Sequence, residues 1–191
     1  DGDLTVSTDE DQHPGYLTLT DALGQNDDVV TVVGPQAVKL RGLGGDDVLT
    51  GGDGDDIIGG YSGDDVLTGG DGDDLVVGHS GDDIIDGGAG DDLLGGHSGD
   101  DTITAGDGDD TVYGSWGDDV IDGGAGSDTI DGGLDADMIT AGDGNDTVMA
   151  GDGDDTVDGG TGDDMLDGGL GDDLITAGDG NDTVMAGDGD D

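Results

Sequence analysis

Residues 51–59 read GGDGDDIIG, and this nine-residue pattern recurs without insertion or deletion from Gly45 to Asp191. Each unit has a glycine, an aspartate two residues later and an aliphatic side chain two residues after that aspartate. Seventeen anchor positions follow in this phase, and only Asp135 replaces the anchor glycine. Glycine permits the positive φ of a tight turn, and the residues after the aspartate suit a short strand. Each unit is therefore predicted to form one turn and one strand.

The unit length predicts how the strands are arranged. Nine residues are too few for two paired strands, so successive strands should alternate between two parallel sheets, with 18 residues per turn. Units that begin at 42, 60 and 78 would supply one sheet, and units that begin at 51, 69 and 87 the other. About eight such turns give a rod roughly 40 Å long. The chain is thus predicted to be an all-β, two-sheet β-solenoid.

The composition excludes several classes of protein and partner. The 191 residues include 47 Gly, one Trp, no Phe and no Cys, which rules out a conventional aromatic core and disulfides. Asp and Glu number 51 against two basic residues, Lys39 and Arg41, for a formal charge of −49. We therefore expect no nucleic acid and no anionic membrane as partner. No segment has the length and hydropathy for membrane insertion.

The predicted stacking brings aspartates close together and calls for a cation. Asp47 would lie below Asp65, and carboxylates about 5 Å apart repel by roughly 0.8 kcal/mol in water and roughly 3 kcal/mol at an effective dielectric of 20. One buried aliphatic side chain per unit contributes only about 1.5–3 kcal/mol, while ordering the backbone costs about 1–2 kcal/mol per residue. Glycine and aspartate offer only oxygen ligands, which favours Ca²⁺ over Zn²⁺ or the more tightly hydrated Mg²⁺.

The repeat GGxGxDxUx, with U apolar, resembles the calcium-binding nonapeptide of the RTX (repeats-in-toxin, haemolysin-type) family. The resemblance covers residues 42–191. It implies a right-handed parallel β-roll in which turn carbonyls and repeat aspartates bind about fifteen Ca²⁺ ions. It also implies a structural module of a Gram-negative bacterium that leaves the cell by type I secretion and folds in extracellular calcium or at the cell surface.

The metal ligands implied by the resemblance are the repeat aspartates. They are Asp47, Asp56, Asp65, Asp74, Asp83, Asp92, Asp101, Asp110, Asp119, Asp128, Asp137, Asp146, Asp155, Asp164, Asp173, Asp182 and Asp191. The preceding residue, such as Asp46 or Asp55, becomes Ser127, Ala136, Asn145 or Asn181 in other units and is predicted to be solvated, with no role for its side chain.

Residues 1–41 lack the strict repeat and are predicted to form a strand-rich N-terminal cap. YLTLT at 16–20, DDVVTVV at 27–33 and AVKLR at 37–41 are the predicted strands. Residues 42–191 form the predicted β-roll. Because the first residue is not Met and residue 191 falls inside a repeat unit, we expect a cut from a longer polypeptide, truncated at its C-terminal end.

Two surface features depart from a plain roll. One turn position is always glycine in one series of units, whereas the other series carries Leu43, Tyr61, His79, His97 and Ser115, with glycine only from residue 133 onward. This column of larger side chains is predicted to extend to Trp116. This column is either a set of solvated turn residues or a docking stripe for another domain or subunit. The residue after each repeat aspartate should face outward, which predicts a more apolar surface in the first half and a candidate face for a neighbouring domain or self-association.

We predict no enzyme activity for this chain, because its paired carboxylates lie on turns and no nucleophile or HExxH motif is present. Three interpretations remain open beside a calcium-dependent structural module. One is a roll appended to a secreted enzyme, toxin or adhesin whose other domains lie outside this chain. Another is a self-assembling cell-surface or filament-forming protein. Ice binding is the least favoured, because regular outward rows of Thr and Asn are lacking.

Overall fold

The computed structural model describes residues 4–7, 17–19 and 24–189, where the regular elements are β-strands. Strands alternate between two ten-stranded sheets, and every strand pairs with parallel neighbours. From Lys39 onward the paired residues of sheet neighbours are 18 positions apart, as in Ile57 opposite Leu75. The predicted two-sheet solenoid is confirmed. We call each 18-residue turn, with one strand in each sheet, a rung.

The odd-numbered strands form sheet I and the even-numbered strands form sheet II. Sheet I contains β1 Leu4–Ser7, β3 Val29–Val33, β5 Val48–Gly52, β7 Val66–Asp71, β9 Ile84–Ala89, β11 Thr102–Asp107, β13 Val120–Ala125, β15 Met138–Asp143, β17 Thr156–Thr161 and β19 Leu174–Thr176. Sheet II contains β2 Leu17–Leu19, β4 Val38–Arg41, β6 Ile57–Ser62, β8 Leu75–Ser80, β10 Leu93–Ser98, β12 Thr111–Trp116, β14 Thr129–Leu134, β16 Thr147–Asp152, β18 Met165–Leu170 and β20 Thr183–Met185.

The N-terminal strands continue the roll. The three strands predicted there are confirmed as β2, β3 and β4, and β1 is an additional strand that the sequence pattern did not reveal. β3 pairs with β5, and β4 with β6, so they cover the open edges of the first strict rung. An uncovered edge would expose unpaired backbone groups. The assignment of residues 1–41 as a separate cap stays a prediction.

The core is a narrow double row between the two sheets. Each strict unit places its aliphatic residue inward, and Leu49, Ile58 and Leu67 are almost fully buried. The residue two positions further along also points inward and is glycine or alanine, such as Gly60 or the buried Ala105. Since neighbouring residues of a strand point to opposite faces, only these two positions per strand reach the interior.

The distribution of exposed apolar side chains differs from the prediction. The residues after the repeat aspartates do face outward, as the 39% exposure of Val48 illustrates. However, large exposed apolar residues also occur in the second half, among them Met138, Met165 and Leu170. Met138 and Met165 follow repeat aspartates and Met149 lies at a further outward position, so exposed apolar side chains are not confined to the first half.

Candidate metal sites

The repeat aspartates lie where each turn enters a strand, and their side chains are buried. Fifteen of them, from Asp47 to Asp173, are at most 6% exposed. Asp182 is half-buried near the end of the described residues, and Asp191 lies outside them. The strict register stacks these residues in two ladders, so that Asp65 lies between Asp47 and Asp83. The structure therefore brings together the carboxylates that the sequence singled out, although their role as ligands stays a prediction.

One oxygen of each carboxylate has a fixed partner. The backbone N–H of Asp83 donates to Oδ1 of Asp101 at 2.8 Å, and the N–H of Asp65 donates to Oδ1 of Asp83 at 2.8 Å. The same bond recurs along both ladders. From Asp56 to Asp182 each repeat aspartate accepts from the residue 18 positions earlier, and Asp47 accepts from Asp28, 19 positions earlier. This bond fixes the orientation of the carboxylate.

The second oxygen of each carboxylate is left without a partner. Oδ2 of all fifteen buried repeat aspartates has no hydrogen bond. Leaving a buried polar atom unsatisfied costs about 1–3 kcal/mol and more for a charged group. Fifteen such atoms would exceed the roughly 5–15 kcal/mol by which a domain is ordinarily stable. At neutral pH these oxygens therefore require protons or cations.

Backbone carbonyls lie beside these unpaired oxygens. A Cβ added to Gly51 would collide with Oδ2 of Asp56 and lie 2.5 Å from the carbonyl oxygen of Gly69 on the next rung. Similarly, a Cβ on Gly87 would lie 2.5 Å from Oδ2 of Asp92 and 2.6 Å from the carbonyl oxygen of Ala105. Such a unit therefore has a small cradle of carboxylate and carbonyl oxygens, the hard donors that Ca²⁺ prefers.

Side chains alone would not hold the ion. Within the described part of the chain, no three His, Cys, Asp or Glu side chains converge in a way that could bind a metal. A cation in a cradle would take a carboxylate oxygen from the repeat aspartate and its other ligands from the backbone. Calcium accepts backbone carbonyls in flexible geometry, whereas Zn²⁺ selects His and Cys. The donor set therefore fits Ca²⁺.

The inward glycine position divides the cradles into two classes. Alanine occupies it at Ala105, Ala141 and Ala150, where the methyl group is fully buried, and at the less buried Ala177 and Ala186. Where the next rung carries alanine, the glycine Cβ position is 2.5–2.9 Å from the aspartate Oδ2, and it is closer in all seven cradles that have glycine on both rungs. The Oδ2 atoms are thus displaced beside an alanine. Sequence analysis missed this difference between cradles, although the choice of glycine or alanine at this position indicates it.

Burial shifts the titration of the repeat aspartates. Burial raises the pKa of Asp83 and of Asp101 from the ordinary 3.8 to about 7, although the backbone N–H bond to each carboxylate lowers it. The negative charges of neighbouring rungs, such as Asp65 next to Asp83, raise the pKa further. Asp74, Asp92, Asp128 and Asp137 behave in the same way. The cradle therefore disfavours the carboxylate anion unless a cation compensates its charge.

A second, exposed ladder corrects the prediction for the residue before the repeat aspartate. Asp46 is exposed as predicted, but its Oδ1 accepts the backbone N–H of Asp64 at 3.1 Å, so its side chain has a structural role. Asn145 replaces the carboxylate with an amide oxygen that accepts from Asp163 at 2.8 Å. Ala136 has no acceptor to offer. The 18-residue spacing of these residues predicts that they stack, but their solvent exposure gave no indication that their side chains bond to the next rung.

The turn column is a ring stack, and Trp116 is not part of it. Tyr61, His79 and His97 adopt φ of 80–85°, and their rings stack with centroids 4.6 and 5.3 Å apart. Leu43 has the same positive φ at the start of the column. Trp116 pairs with Ser98 in the adjacent column, because Ser115 is the residue in register with His97. The predicted extension to Trp116 is therefore wrong by one position.

The stack does not resemble a metal site. Its two imidazoles have no third ligand group among the residues described. Burial lowers the pKa of His79, and the neighbouring His97 lowers it further, so the neutral form is favoured. Ring stacking accounts for the arrangement, whereas docking of another domain there stays a prediction.

Comparisons with known proteins agree with the repeat. The family model of the RTX calcium-binding nonapeptide repeat (4 copies) matches residues 39–67, 59–94, 95–130, 122–157, 131–166 and 158–191. Together these matches extend from residue 39 to residue 191. No curated protein matches the chain. Among the residues described, no helix is long and apolar enough to cross a membrane.

Proposed function

The chain belongs to the RTX calcium-binding nonapeptide repeat family, and from this premise we propose that its roll folds on binding calcium and serves as a structural module of a secreted bacterial protein. The observation that carries the proposal is the set of fifteen buried Oδ2 atoms without a hydrogen-bond partner. For nine of them a backbone carbonyl oxygen of the next rung lies beside the same glycine, as Gly69 O does beside the cradle of Asp56. A divalent cation in each cradle would neutralise the ladder and link adjacent rungs.

Folding by this route would depend on the calcium concentration of the compartment. Extracellular calcium modules bind with dissociation constants of about 10⁻⁴–10⁻³ M, far above the free calcium to which cytosolic sensors respond. In low calcium, repulsion among the aspartates would keep the chain unfolded, which suits export through a narrow secretion channel. Outside the cell, about fifteen ions would carry roughly thirty positive charges against the formal −49.

Counting the bound ions tests the proposal. Equilibrium dialysis against calcium, followed by elemental analysis, should give about fifteen ions per chain, and magnesium at the same concentration should give far fewer. A stoichiometry of one or two ions, or equal uptake of both metals, contradicts the proposed cradles. For the compartment, protease added to intact cells of the native bacterium should digest the protein, whereas full protection would contradict a secreted or surface location.

A further inference from the structure

The outer face of sheet II lacks acidic side chains from β4 to β12, in a chain whose formal charge is −49. Two columns of outward residues define this neutral face. The first column is Lys39, Ile57, Leu75, Leu93, Thr111 and Thr129, and the second is Arg41, Gly59, Val77, Gly95, Tyr113 and Asp131. Both basic residues of the chain lie at its upper end, and Asp131 is the first acid at its lower end.

The neutral face alternates between hollows and ridges. A hollow of about 150 Å³ lies at Gly59, and one of about 360 Å³ lies at Gly95. Val77 separates the two hollows, and Tyr113, 45% exposed, forms the ridge beyond the second. The ring of Tyr61 lies over Gly59, where an added Cβ would be 3.1 Å from the ring, and the ring of His97 lies near Gly95, so both rings form part of the lining of the hollows. Hollows and ridges thus alternate along this face at the spacing of one rung.

The second column is complementary to itself when its order is reversed. Reversal places Arg41 opposite Asp131, Gly59 opposite Tyr113, and Val77 opposite Gly95. Charge thus meets opposite charge, and each ridge meets a hollow. Within one chain Arg41 and Asp131 are five rungs apart, roughly 24 Å, so they cannot pair with each other.

We propose that the neutral face binds the same face of a second copy of this chain, with the order of the rungs reversed. The two copies are related by a two-fold axis parallel to the strands, which is the isologous arrangement most homodimers use. The Tyr113 ridge of each copy enters the hollow at Gly59 of the other. Val77 enters the hollow at Gly95, and Arg41 forms an ion pair with Asp131.

The first column supports the same register. Reversal places Leu75 against Leu93 and Ile57 against Thr111, so the centre of the interface is apolar. A register shifted by one rung would instead place Gly59 against Asp131 and Arg41 against Met149, which buries a carboxylate without a partner at a cost of several kcal/mol. A shift by two rungs would place Val77 against Asp131 and Arg41 against Asp167. The observed order of residues therefore selects one register.

The size of the face sets the strength of the interaction. Six rungs of about 4.8 Å and three outward positions per strand cover roughly 450 Å² on each copy. This is about half of the 800 Å² per partner in a standard interface, which predicts a dimer of micromolar or weaker affinity. The other surfaces carry the acidic residues and repel, so association should stop at two copies.

Sedimentation velocity on the calcium-loaded full chain tests the proposal. The weight-average mass should rise from monomer to dimer, and no further, between about 5 and 500 μM at physiological salt. Leu75→Asp should abolish the rise. Val66→Asp is the matched control, because Val66 occupies the same position of the unit on sheet I and should leave the dimer intact. Circular dichroism of both variants with calcium shows that each retains the fold.

A charge exchange tests the register without adding a charge to the apolar centre. Arg41→Asp should weaken the dimer about tenfold, because the ion pair occurs twice and becomes a repulsion. Adding Asp131→Arg should restore the affinity to within about threefold, while adding Asp167→Arg should not. A chain that remains monomeric at the highest concentration overturns the proposal, as does equal weakening by Leu75→Asp and Val66→Asp. Rescue by Asp167→Arg instead of Asp131→Arg overturns the register. A monomeric roll that still folds with calcium leaves the proposed function intact.

Discussion

Substitution of Asp101 by Asn separates metal binding from every other role of this side chain. Asp101 is 1% exposed, its Oδ1 accepts the N–H of Asp83 at 2.8 Å, and its Oδ2 has no partner. Asparagine has nearly the same shape and keeps an oxygen for that N–H. Its NH₂ group would then occupy the position of Oδ2, where it cannot bind a cation. The variant therefore loses a calcium ligand while the hydrogen-bond ladder persists.

The matched control is Asp100→Asn, one residue earlier. Asp100 is exposed, and its Oδ1 accepts the N–H of Asp118 at 3.0 Å. Both substitutions thus remove one negative charge and retain one hydrogen-bond acceptor, and they differ in the unpaired Oδ2 of Asp101. Any difference between the variants reports on the cradle.

The expected magnitude follows from binding linkage. A site with calcium at 100 times its dissociation constant stabilises the folded state by about 2.7 kcal/mol. With a urea m-value of about 2 kcal/mol/M, loss of one site in Asp101→Asn should lower the unfolding midpoint by about 1–2 M. Asp100→Asn should lower it by no more than about 0.5 M, because an exposed charged hydrogen bond contributes little. Raising calcium tenfold should increase the difference between the two variants by about 1.4 kcal/mol.

Urea unfolding at two calcium concentrations, followed by circular dichroism, measures both midpoints. The reasoning is refuted if the two variants lose the same stability, or if the difference between them does not depend on calcium. Equal effects would mean that the charge of the ladder, and not a bound ion, determines the contribution of Asp101.

Three further predictions concern pH, the inward position and the core. Burial raises the pKa of Asp83 in the metal-free fold to about 7 against an ordinary 3.8, so protons compete with calcium and the calcium midpoint of folding should rise as pH falls from 8 to 6. In chelator the pH dependence of stability has the opposite sign, because a raised carboxyl pKa stabilises the metal-free fold at low pH and this stability is lost as pH rises from about 4 to 7. A calcium midpoint that does not depend on pH would contradict this linkage. Gly78→Ala places a methyl group against the Asp83 carboxylate and should weaken calcium-induced folding, whereas Ala141→Gly should strengthen it; equal midpoints by calorimetric titration would show that the methyl group does not affect the cradle. Ile103→Ala, at a site 1% exposed, should lower the free energy of unfolding by about 2–4 kcal/mol, measured by urea unfolding in saturating calcium. Thr102→Ala on the outer face should lower it by less than about 0.5 kcal/mol. Similar losses in the two variants would contradict the assigned strand orientation.

The strict period made most of the fold predictable from the sequence. An 18-residue turn follows from the nine-residue phase because each strand must find a partner outside its own unit, and the pairing of Ile57 with Leu75 confirms it. The same phase predicted that Asp47, Asp65 and Asp83 stack. β1 was missed because residues 1–41 lack the repeat, so their register depends on tertiary pairing.

The details of the site were less predictable, because they depend on contacts between rungs. Opposite directions of hydrogen bonding along the Asp47 and Asp46 ladders have no counterpart in a one-dimensional pattern. Trp116 was predicted to extend the column that contains His97 and Ser115, but the structure pairs it with Ser98 in the adjacent column. The displacement of Oδ2 next to alanines such as Ala141 also emerges only when both rungs are considered.

Circular dichroism during a calcium titration tests the central claim most directly. The account predicts little strand signal in chelator at pH 8, because fifteen buried carboxylate oxygens lack any partner, and a steep, cooperative gain of strand signal as calcium is added. Magnesium at the same concentration should not produce this gain. Equal strand signal in chelator and in calcium would contradict the claim that the ion is required for the fold.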